Sequence, residues 1–441
     1  MLVKGRRLAV LVVAFAIAAC SPSGASNSPG PSSGSGSLAP ADSAAPGASA
    51  SGDAVTLNVW TLEGEEEFLP KIKDAFESSH PGTTLEFTVL PEDQYGTKVD
   101  TALAAGAPPD IAFVYDPRYI KQGHMVEVGE VLKERGVDLT RFAPGPLGPC
   151  TMDGKLYCIG TYTGALVLMY NKDLFDKAGI PYPSSTVPMS VDEYAEIAKK
   201  LSVDDADPAK RIWGGEAGPT YWWTDLPDFL GSDLKTVVGA LDDDTTIRTW
   251  DVLAGLVRDG YALTDDMVVS MGASSLLATG QQGMSFEDNF AIGDLLEQGV
   301  NLGVAPLPVE SSGQQAFVPS WTDAWSTFTA SAHPDQALDF ITFMATEGNV
   351  LREAGGAYPL DQQVAKDADY GADSPAKQQM VDVMGLTRTV PFVPGWFTVY
   401  GQLEDTFPQV IENGDAASAL HAIAPVIQDD LAREWETWDS Q

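Results

Sequence analysis

The sequence predicts an α/β protein of two lobes, each a mostly parallel sheet flanked by helices. Strand-like apolar runs alternate with amphipathic segments from Val55 onward, the order that gives parallel sheets with right-handed crossovers. The chain has 441 residues, too many for one ordinary core. An unbroken apolar run at residues 166–170 is typical of a strand that leaves one compact unit and enters another.

The first 19 residues predict a secretory signal peptide. Lys4, Arg6 and Arg7 precede an apolar run at residues 8–19, which is too short to span a bilayer as a stable helix. The run ends in Ile-Ala-Ala followed by Cys20, which resembles a bacterial lipobox. The resemblance implies cleavage before Cys20 and acylation of its thiol. The alternative is an ordinary signal with an incidental cysteine.

Residues 20–54 predict a disordered tether that follows the lipidated Cys20. Ser, Gly, Ala and Pro make up almost all of this stretch and it contains no aromatic residue, so it cannot build a core. A flexible chain of this length spans roughly 30 Å. Loss of the three cations of the signal peptide takes the formal charge from −36 to about −39, which argues against binding to a nucleic-acid backbone.

The two other cysteines predict a disulfide. With Cys20 acylated, Cys150 and Cys158 are left in an exported, oxidising setting. A two-residue turn at Asp153 and Gly154 would place Cys150 opposite Tyr157, whereas a three-residue loop centred on Gly154 would place it opposite Cys158. We predict the second register. Two free buried thiols are the alternative.

The first lobe is predicted from strands at residues 55–60, 83–90 and 110–115, which alternate with helices at residues 63–79 and 93–105. Ligands bind at the carboxyl ends of parallel strands. The candidate ligand-binding residues at these ends and at the crossing that follows are Trp60, Glu63, Tyr115, Asp116, Tyr162 and Thr163.

The second lobe contains an aromatic cluster and an acidic strand end. Trp222 and Trp223 are candidate ligand contacts, but at least one of them should belong to the core, because neighbouring residues on a strand point in opposite directions. A predicted strand at residues 283–286 ends at Glu287 and Asp288, of which Glu287 is a further candidate ligand contact. Asp288 is either a ligand contact or the cap of a helix over residues 289–298.

Two more crossings between the lobes are predicted, at residues 317–328 and 355–359. Trp321, Asp323 and Trp325 alternate in the first of them, so they share a face if the segment is extended. The remaining candidate ligand contacts are Trp321 and Asp323 there, Tyr358 in the other crossing and Trp396 at the start of the last helical region.

Residues 95–116, 157–180 and 317–328, in this order, resemble extracellular solute-binding protein family 1, the maltose-binding-protein-like proteins that serve carbohydrate ABC importers. The resemblance implies a type II periplasmic-binding-protein fold with crossing hinge segments. Its first lobe would comprise residues 55–162 and 325–357. Its second lobe would comprise residues 163–324 and 358–441. In related carbohydrate binders an aromatic residue of the segment that holds Trp396 often stacks on a sugar ring.

The residue types at the predicted strand ends favour binding over catalysis. The four histidines are scattered without zinc spacing, and there is no Walker or Rossmann glycine motif. Aromatic rings can cover the C–H face of a sugar, and carboxylates accept hydrogen bonds from its hydroxyl groups. We therefore expect no enzymatic activity, no cofactor and no metal.

The resemblance implies a monomeric lipoprotein, anchored outside the membrane of a bacterium, that captures a sugar or oligosaccharide by hinge closure. It would deliver the ligand to the permease subunits of an ABC importer. One alternative is the same fold with an organic cation or a glycerophosphodiester as ligand. A phosphate would need cations, and only Arg118 offers itself nearby. A third hypothesis is a surface glycoside hydrolase that uses two carboxylates.

Overall fold

The computed structural model describes residues 54–114, 116–219, 229–273, 275–388 and 390–440. The predicted signal peptide, Cys20 and the tether up to residue 53 lie outside these ranges. The strands are β1 Val55–Leu62, β2 Thr83–Leu90, β3 Ile111–Phe113, β4 Thr151–Met152, β5 Lys155–Leu156, β6 Gly164–Asn171, β7 Gly215–Glu216, β8 Ala262–Leu263, β9 Met284–Asp288, β10 Leu302–Ala305, β11 Val318–Trp321, β12 Trp325–Thr327 and β13 Thr387–Arg388.

The helices show the same alternation with strands in the first part of the chain. They are α1 Leu69–Ser79, α2 Glu92–Ala104, α3 Pro117–Lys121, α4 Gly129–Glu134, α5 Lys172–Ala178, α6 Val191–Leu201, α7 Asp244–Arg258, α8 Asp265–Ser270, α9 Ala291–Glu297, α10 Pro334–Phe343, α11 Asn349–Ala354, α12 Gln362–Asp367, α13 Pro375–Met384, α14 Trp396–Asn413 and α15 Ala416–Ser440. A π-helical turn, Met344–Gly348, joins α10 to α11.

The first sheet has the strand order β12-β3-β1-β2. β1 runs parallel to β2 and to β3, because α1 and α2 each carry the chain back across the sheet. β12 is antiparallel to β3, with Trp325 opposite Phe113. The carboxyl ends of β1 and β3 therefore lie at the same edge of the sheet, as the sequence predicts.

The second sheet is organised around β6, which pairs with β9, β10 and β11. The expected α/β class is confirmed, but all three of these pairings are antiparallel, unlike the mostly parallel sheet expected here. β6 carries the chain away from the first sheet and β11 carries it back, so these two neighbours must run in opposite directions. The pairing of β11 with β13 is parallel.

β6 contributes to two hydrophobic cores at once. Leu168 and Tyr170 pack into a core with α6, α7 and α14, while Val167 and Met169 pack into a second core with α9 and α13. Side chains alternate between the two faces of a strand, so an uninterrupted apolar run can serve both cores. The prediction of a strand buried on both faces is confirmed.

Three chain segments cross side by side between the two sheets. Ile159 N donates to Trp325 O (3.1 Å), Thr163 N donates to Tyr358 O (2.8 Å), and Thr322 Oγ1 donates to Tyr162 O (2.6 Å). The approach is closest at Gly160, where a Cβ atom would overlap the side chain of Thr322. All three predicted crossings are thus adjacent in the fold.

A short hairpin precedes the first crossing. Cys150 and Cys158 form the predicted disulfide and both are fully buried. The predicted register was wrong: Met152 pairs with Lys155 across a two-residue turn, and Tyr157 N donates to Cys150 O (2.9 Å). Asp153 and Gly154 both have positive φ, as a two-residue hairpin turn requires. The disulfide instead joins residues diagonally across the hairpin.

Candidate functional site

A cavity of about 550 Å³ lies at the carboxyl edge of the first sheet. Leu62 at the end of β1 and Val114 after β3 line one side of it, and residues 390–396 line another. α15 contributes Trp438 to the cavity wall. The cavity thus brings strand ends of the first sheet against the C-terminal part of the chain, the location where an open α/β sheet binds ligands.

Aromatic side chains supply much of the cavity wall. Trp396, at the start of α14, is half-buried, with its ring 5.7 Å from that of Phe229. Phe392 and Trp438 contact each other with ring centroids 4.6 Å apart. Tyr95 on α2 is buried, and its hydroxyl donates to the carbonyl of Trp60 (3.0 Å). Such rings can cover the apolar face of a ligand.

Charged side chains on the wall are mostly acidic. Glu92, Asp116 and Glu434 line the cavity, and Arg118 is the single cationic residue among the described lining residues. Asp116 Oδ2 accepts hydrogen bonds from Arg118 Nε (2.9 Å) and Nη2 (2.6 Å). These hydrogen bonds raise the pKa of Arg118 above its ordinary value.

Asp116 also begins α3. Its Oδ1 accepts a hydrogen bond from Arg118 N (2.9 Å), the usual role of an aspartate at a helix N-cap. Tyr119, the next cavity residue, donates its hydroxyl to Asp100 Oδ1 (2.6 Å), and burial together with this bond raises the pKa of Tyr119. The turn after β3 therefore presents a fixed set of polar groups to the cavity.

The structure brings two of the predicted ligand contacts, Asp116 and Trp396, to this cavity. Trp60 is half-buried within β1 and Glu63 is exposed beyond its end, and neither lines the cavity. The other described candidates lie in the crossings or on β9 and also do not line it. They are Tyr162, Thr163, Glu287, Asp288, Trp321, Asp323 and Tyr358. Tyr115, Trp222 and Trp223 lie outside the described residues.

A buried cluster of charges joins the crossings to the first sheet. Asp323 is fully buried and accepts hydrogen bonds from Thr161 N (2.6 Å) and Trp325 Nε1 (2.7 Å). Arg352 Nη2 donates to Asp323 Oδ2 (3.2 Å) and forms an ion pair with Glu65. The Asp323 carboxylate therefore holds two crossings together. We call Glu65, Asp323 and Arg352 the hinge cluster.

The hinge cluster contains two carboxylates and one guanidinium, and its electrostatics follow from that imbalance. Burial raises the pKa of Glu65. The charge of Arg352 acts against this rise, and the charge of Asp323 adds to it. Burial alone would lower the pKa of Arg352, but the charges of Asp323 and Glu65 raise it above its ordinary value. Arg352 is consequently cationic at any physiological pH.

Tyr162, in the first crossing, contacts both Arg352 of the hinge cluster and Phe290 of the second sheet's side of the fold. Its ring is 4.9 Å from the Arg352 guanidinium on one side and 5.0 Å from the ring of Phe290 on the other. Phe290 directly precedes α9 and is partly exposed. The neighbouring Thr163 is fully buried, and its hydroxyl has no hydrogen-bond partner among the described residues.

The acidic end of β9 is buried beside β7. Ser285 Oγ lies 2.8 Å from Glu216 Oε2 and 2.8 Å from Glu287 Oε1. α9 has Phe290 as its N-cap residue, without a side-chain cap there, so Asp288 does not occupy the N-cap position of this helix. Asn289 instead binds the first crossing: it accepts from Ala165 N (2.8 Å) and donates to Thr163 O (3.0 Å).

Several site residues were missed by sequence reasoning. Glu65 and Arg352 are separated by 287 positions, and no local pattern marks either of them. Glu216 ends β7, and a position at a strand end was the available signal. Within the described ranges there is no group of three or more potential metal ligands, and no helix there is both long and apolar enough to cross a bilayer.

Residues 61–351 match the model of a protein family described as bacterial extracellular solute-binding protein. The chain is 26% identical over 365 residues to a protein of Brucella abortus (strain 2308) whose name states only that it is a binding protein. That match covers 79% of this chain and 86% of the relative. This chain is also 24% identical over 340 residues to the sn-glycerol-3-phosphate-binding periplasmic protein UgpB of the same strain. That second match covers 69% of this chain and 76% of UgpB.

Among solved structures, the fold is similar to that of the ABC substrate-binding protein Lmo0181 from Listeria monocytogenes in complex with cycloalternan. The TM-score is 0.72 and the identity 18%, over 86% of this chain and 100% of the other. At this identity the likeness concerns the fold.

Proposed function

The chain belongs to the family of bacterial extracellular solute-binding proteins, and from that premise we propose that it captures a sugar or oligosaccharide for an ABC importer. The observation that carries the proposal is the cavity at the carboxyl edge of the first sheet. Its volume of about 550 Å³ is in the usual range for a small-molecule site. Its wall combines aromatic rings with carboxylates, the groups that recognise a neutral polyol.

The proposed mechanism is closure about the three crossings. A ligand in the cavity would contact Asp116 from the turn after β3 and Trp396 from α14, and both contacts together would favour the closed state. The crossings would absorb the rotation while the hinge cluster keeps them in register. Closure would then present a surface that the importer's permease subunits recognise.

The attachment to the membrane is part of the same proposal. The signal peptide at residues 1–19 would direct export, and Cys20 would carry the lipid. Residues 20–54 would let the folded protein reach its permease while it stays anchored outside the cell membrane. The protein would act as a monomer, without cofactor and without turnover of its ligand.

A glycerophosphodiester is the second candidate ligand, because UgpB of Brucella abortus is among the relatives. An organic cation is a third, since the cavity contains three carboxylates and several aromatic faces. The charges on the cavity wall favour a neutral ligand over a phosphate, because Arg118, the one guanidinium among the described lining residues, is already bound to Asp116.

A thermal-shift screen of the purified mature protein tests the proposal. Neutral sugars, including maltose, tagatose and cyclic glucans, would be compared with sn-glycerol 3-phosphate, glycerophosphocholine and choline. At least one sugar should raise Tm, because a ligand at a hundred times its Kd stabilises the folded state by about 2.7 kcal/mol. A shift by phosphates or choline alone would contradict the sugar assignment, and release of product from an oligosaccharide would contradict the absence of turnover.

Trp396→Ala is the matched variant for that screen, and Trp435→Ala is its control. Trp435 packs against the same core and donates its Nε1 to Leu234 O (3.1 Å), but it does not line the cavity. We expect loss of the ligand-induced shift for Trp396→Ala only. An equal loss in both variants would indicate that the cavity is not the binding site.

A further inference from the structure

Asp116 and Arg118 on the cavity wall use their charged groups to bind each other. The Nε and Nη2 atoms of Arg118 are the edge of the guanidinium that binds carboxylates and phosphates in a two-pronged manner. Both atoms donate to Asp116 Oδ2, at 2.9 and 2.6 Å, while Asp116 Oδ1 accepts from the backbone N–H of Arg118. Pro117 between them restricts the backbone, so the pair is held by local geometry.

Among the described lining residues, no other cation is available to an anionic ligand. Arg118 is the single Lys or Arg among the described lining residues, and residues 115, 220–228, 274 and 389 contain none in sequence. The nearby Lys121 donates to the carbonyl of Trp438, and its Nζ lies 4.5 Å from that ring's centroid. Glu92 and Glu434 add negative charge to the wall. A phosphate would therefore meet carboxylates and an occupied guanidinium.

We propose that Asp116 determines the charge selectivity of the cavity: by occupying Arg118 it excludes phosphorylated ligands and leaves the site to uncharged ones. The inference rests on the proposed function, in that the cavity is taken to be the ligand site. Asp116 acts here through Arg118 and is a positioning residue. The pair is partly exposed, and ion pairs of this kind contribute little to stability, so its selectivity can be altered without unfolding the protein.

The test is Asp116→Asn in the full mature chain, with sn-glycerol 3-phosphate as the charged probe and glycerol as its uncharged counterpart. Asparagine keeps the oxygen that caps α3 but loses the charge that holds Arg118. We expect Kd for sn-glycerol 3-phosphate, measured by calorimetry, to fall at least tenfold relative to the wild type. Kd for glycerol should not fall in parallel, because glycerol carries no charge to pair with the freed guanidinium.

Two further variants separate this effect from a change in overall charge. Asp339→Asn makes the same charge change and releases Arg135 from a 2.8 Å ion pair away from the cavity, so it should not improve binding of the phosphate. The double variant Asp116→Asn with Arg118→Gln should lose the gain, because the freed guanidinium is its cause.

The proposal is overturned if the wild type binds sn-glycerol 3-phosphate as tightly as Asp116→Asn does. It is also overturned if Asp339→Asn gains equally, or if the double variant retains the gain. This failure differs from failure of the proposed function. If sugars bind the wild type but Asp116→Asn gains no phosphate affinity, only the selectivity role is lost. If no sugar binds the wild type but the phosphate gain appears, only the sugar assignment is lost.

Discussion

Two of the carboxylate–guanidinium sites in the described structure, the Asp116–Arg118 pair and the hinge cluster, differ mainly in burial. At the cavity wall, the side chains of Arg118 and Asp116 are 45% and 31% exposed. In the hinge cluster, those of Arg352, Glu65 and Asp323 are 12%, 6% and 0% exposed. The first site involves neighbours in sequence, and the second joins three distant parts of the chain.

The difference in burial sets what each site can do. Charges removed from water are tolerated only where hydrogen bonds replace the lost hydration, and the Asp323 carboxylate meets this condition with donors from both crossings and from Arg352. The charged groups of such a site cannot exchange partners without a large loss of stability. The exposed pair can be rearranged at low cost, and a ligand or a substitution can therefore redirect it.

The largest expected effect is that of Arg352→Met. Loss of the guanidinium leaves two buried carboxylates facing each other, and breaking a buried pair in this way typically costs about 3–5 kcal/mol. Arg118→Met, the same substitution at the exposed site, should cost less than about 1 kcal/mol. Urea unfolding measures both. Similar losses in the two variants would contradict the comparison.

A smaller effect is expected for Asp323→Asn. The amide can still accept from Thr161 N, but its NH2 group or its weaker acceptor must now face the Trp325 and Arg352 donors. Hydrogen bonds to charged groups contribute about 1.5–3 kcal/mol each, so we expect a loss in that range. Asp116→Asn should leave the free energy of unfolding nearly unchanged and alter ligand selectivity instead. A loss of stability for Asp116→Asn, together with little loss for Asp323→Asn, would contradict the roles given to the two sites.

The smallest effect is a pH dependence from Glu65, whose neighbours are Arg352, Asp323 and Glu66. Its folded pKa is raised above the ordinary value of 4.5, so its contribution to stability is complete below that value and is lost as pH rises through the folded pKa. Glu65→Gln removes this dependence.

The free energy of unfolding of the wild type, minus that of Glu65→Gln, should therefore decrease as pH rises from 4.5 toward neutrality. Urea titrations at a series of pH values measure the difference. A difference that is constant, or that grows with pH, would show that Arg352 outweighs burial at Glu65.

Much of the fold follows from local sequence pattern. β1 and β2 alternate polar and apolar residues, and β3 and β6 are apolar runs, and both patterns depend on near neighbours. The register of the Cys150–Cys158 hairpin was not predictable in the same way, because turns of two or three residues both fit the sequence. The antiparallel pairing around β6 depends on where distant strands return, which no local period encodes.

The candidate site likewise contains residues that the sequence marks and residues that only tertiary packing brings together. Asp116 was predicted because it follows the end of a strand, where fold geometry directs ligand contacts, and Trp396 was predicted from the family resemblance of its segment. Glu65 and Arg352 were missed because their meeting depends on tertiary packing. Asp323 was predicted by position, and its buried partners place it in the hinge cluster, away from the cavity.

The position of β6 has a mechanical consequence. The strand starts at Gly164, directly after the first crossing, and its alternate side chains are fixed in two separate cores. A rotation that begins at the first crossing therefore moves both hydrophobic cores at the same time, and the two cores keep their positions relative to each other. The second sheet and its helices should therefore rotate as one rigid block about the three crossings, with β6 in the interior of that block.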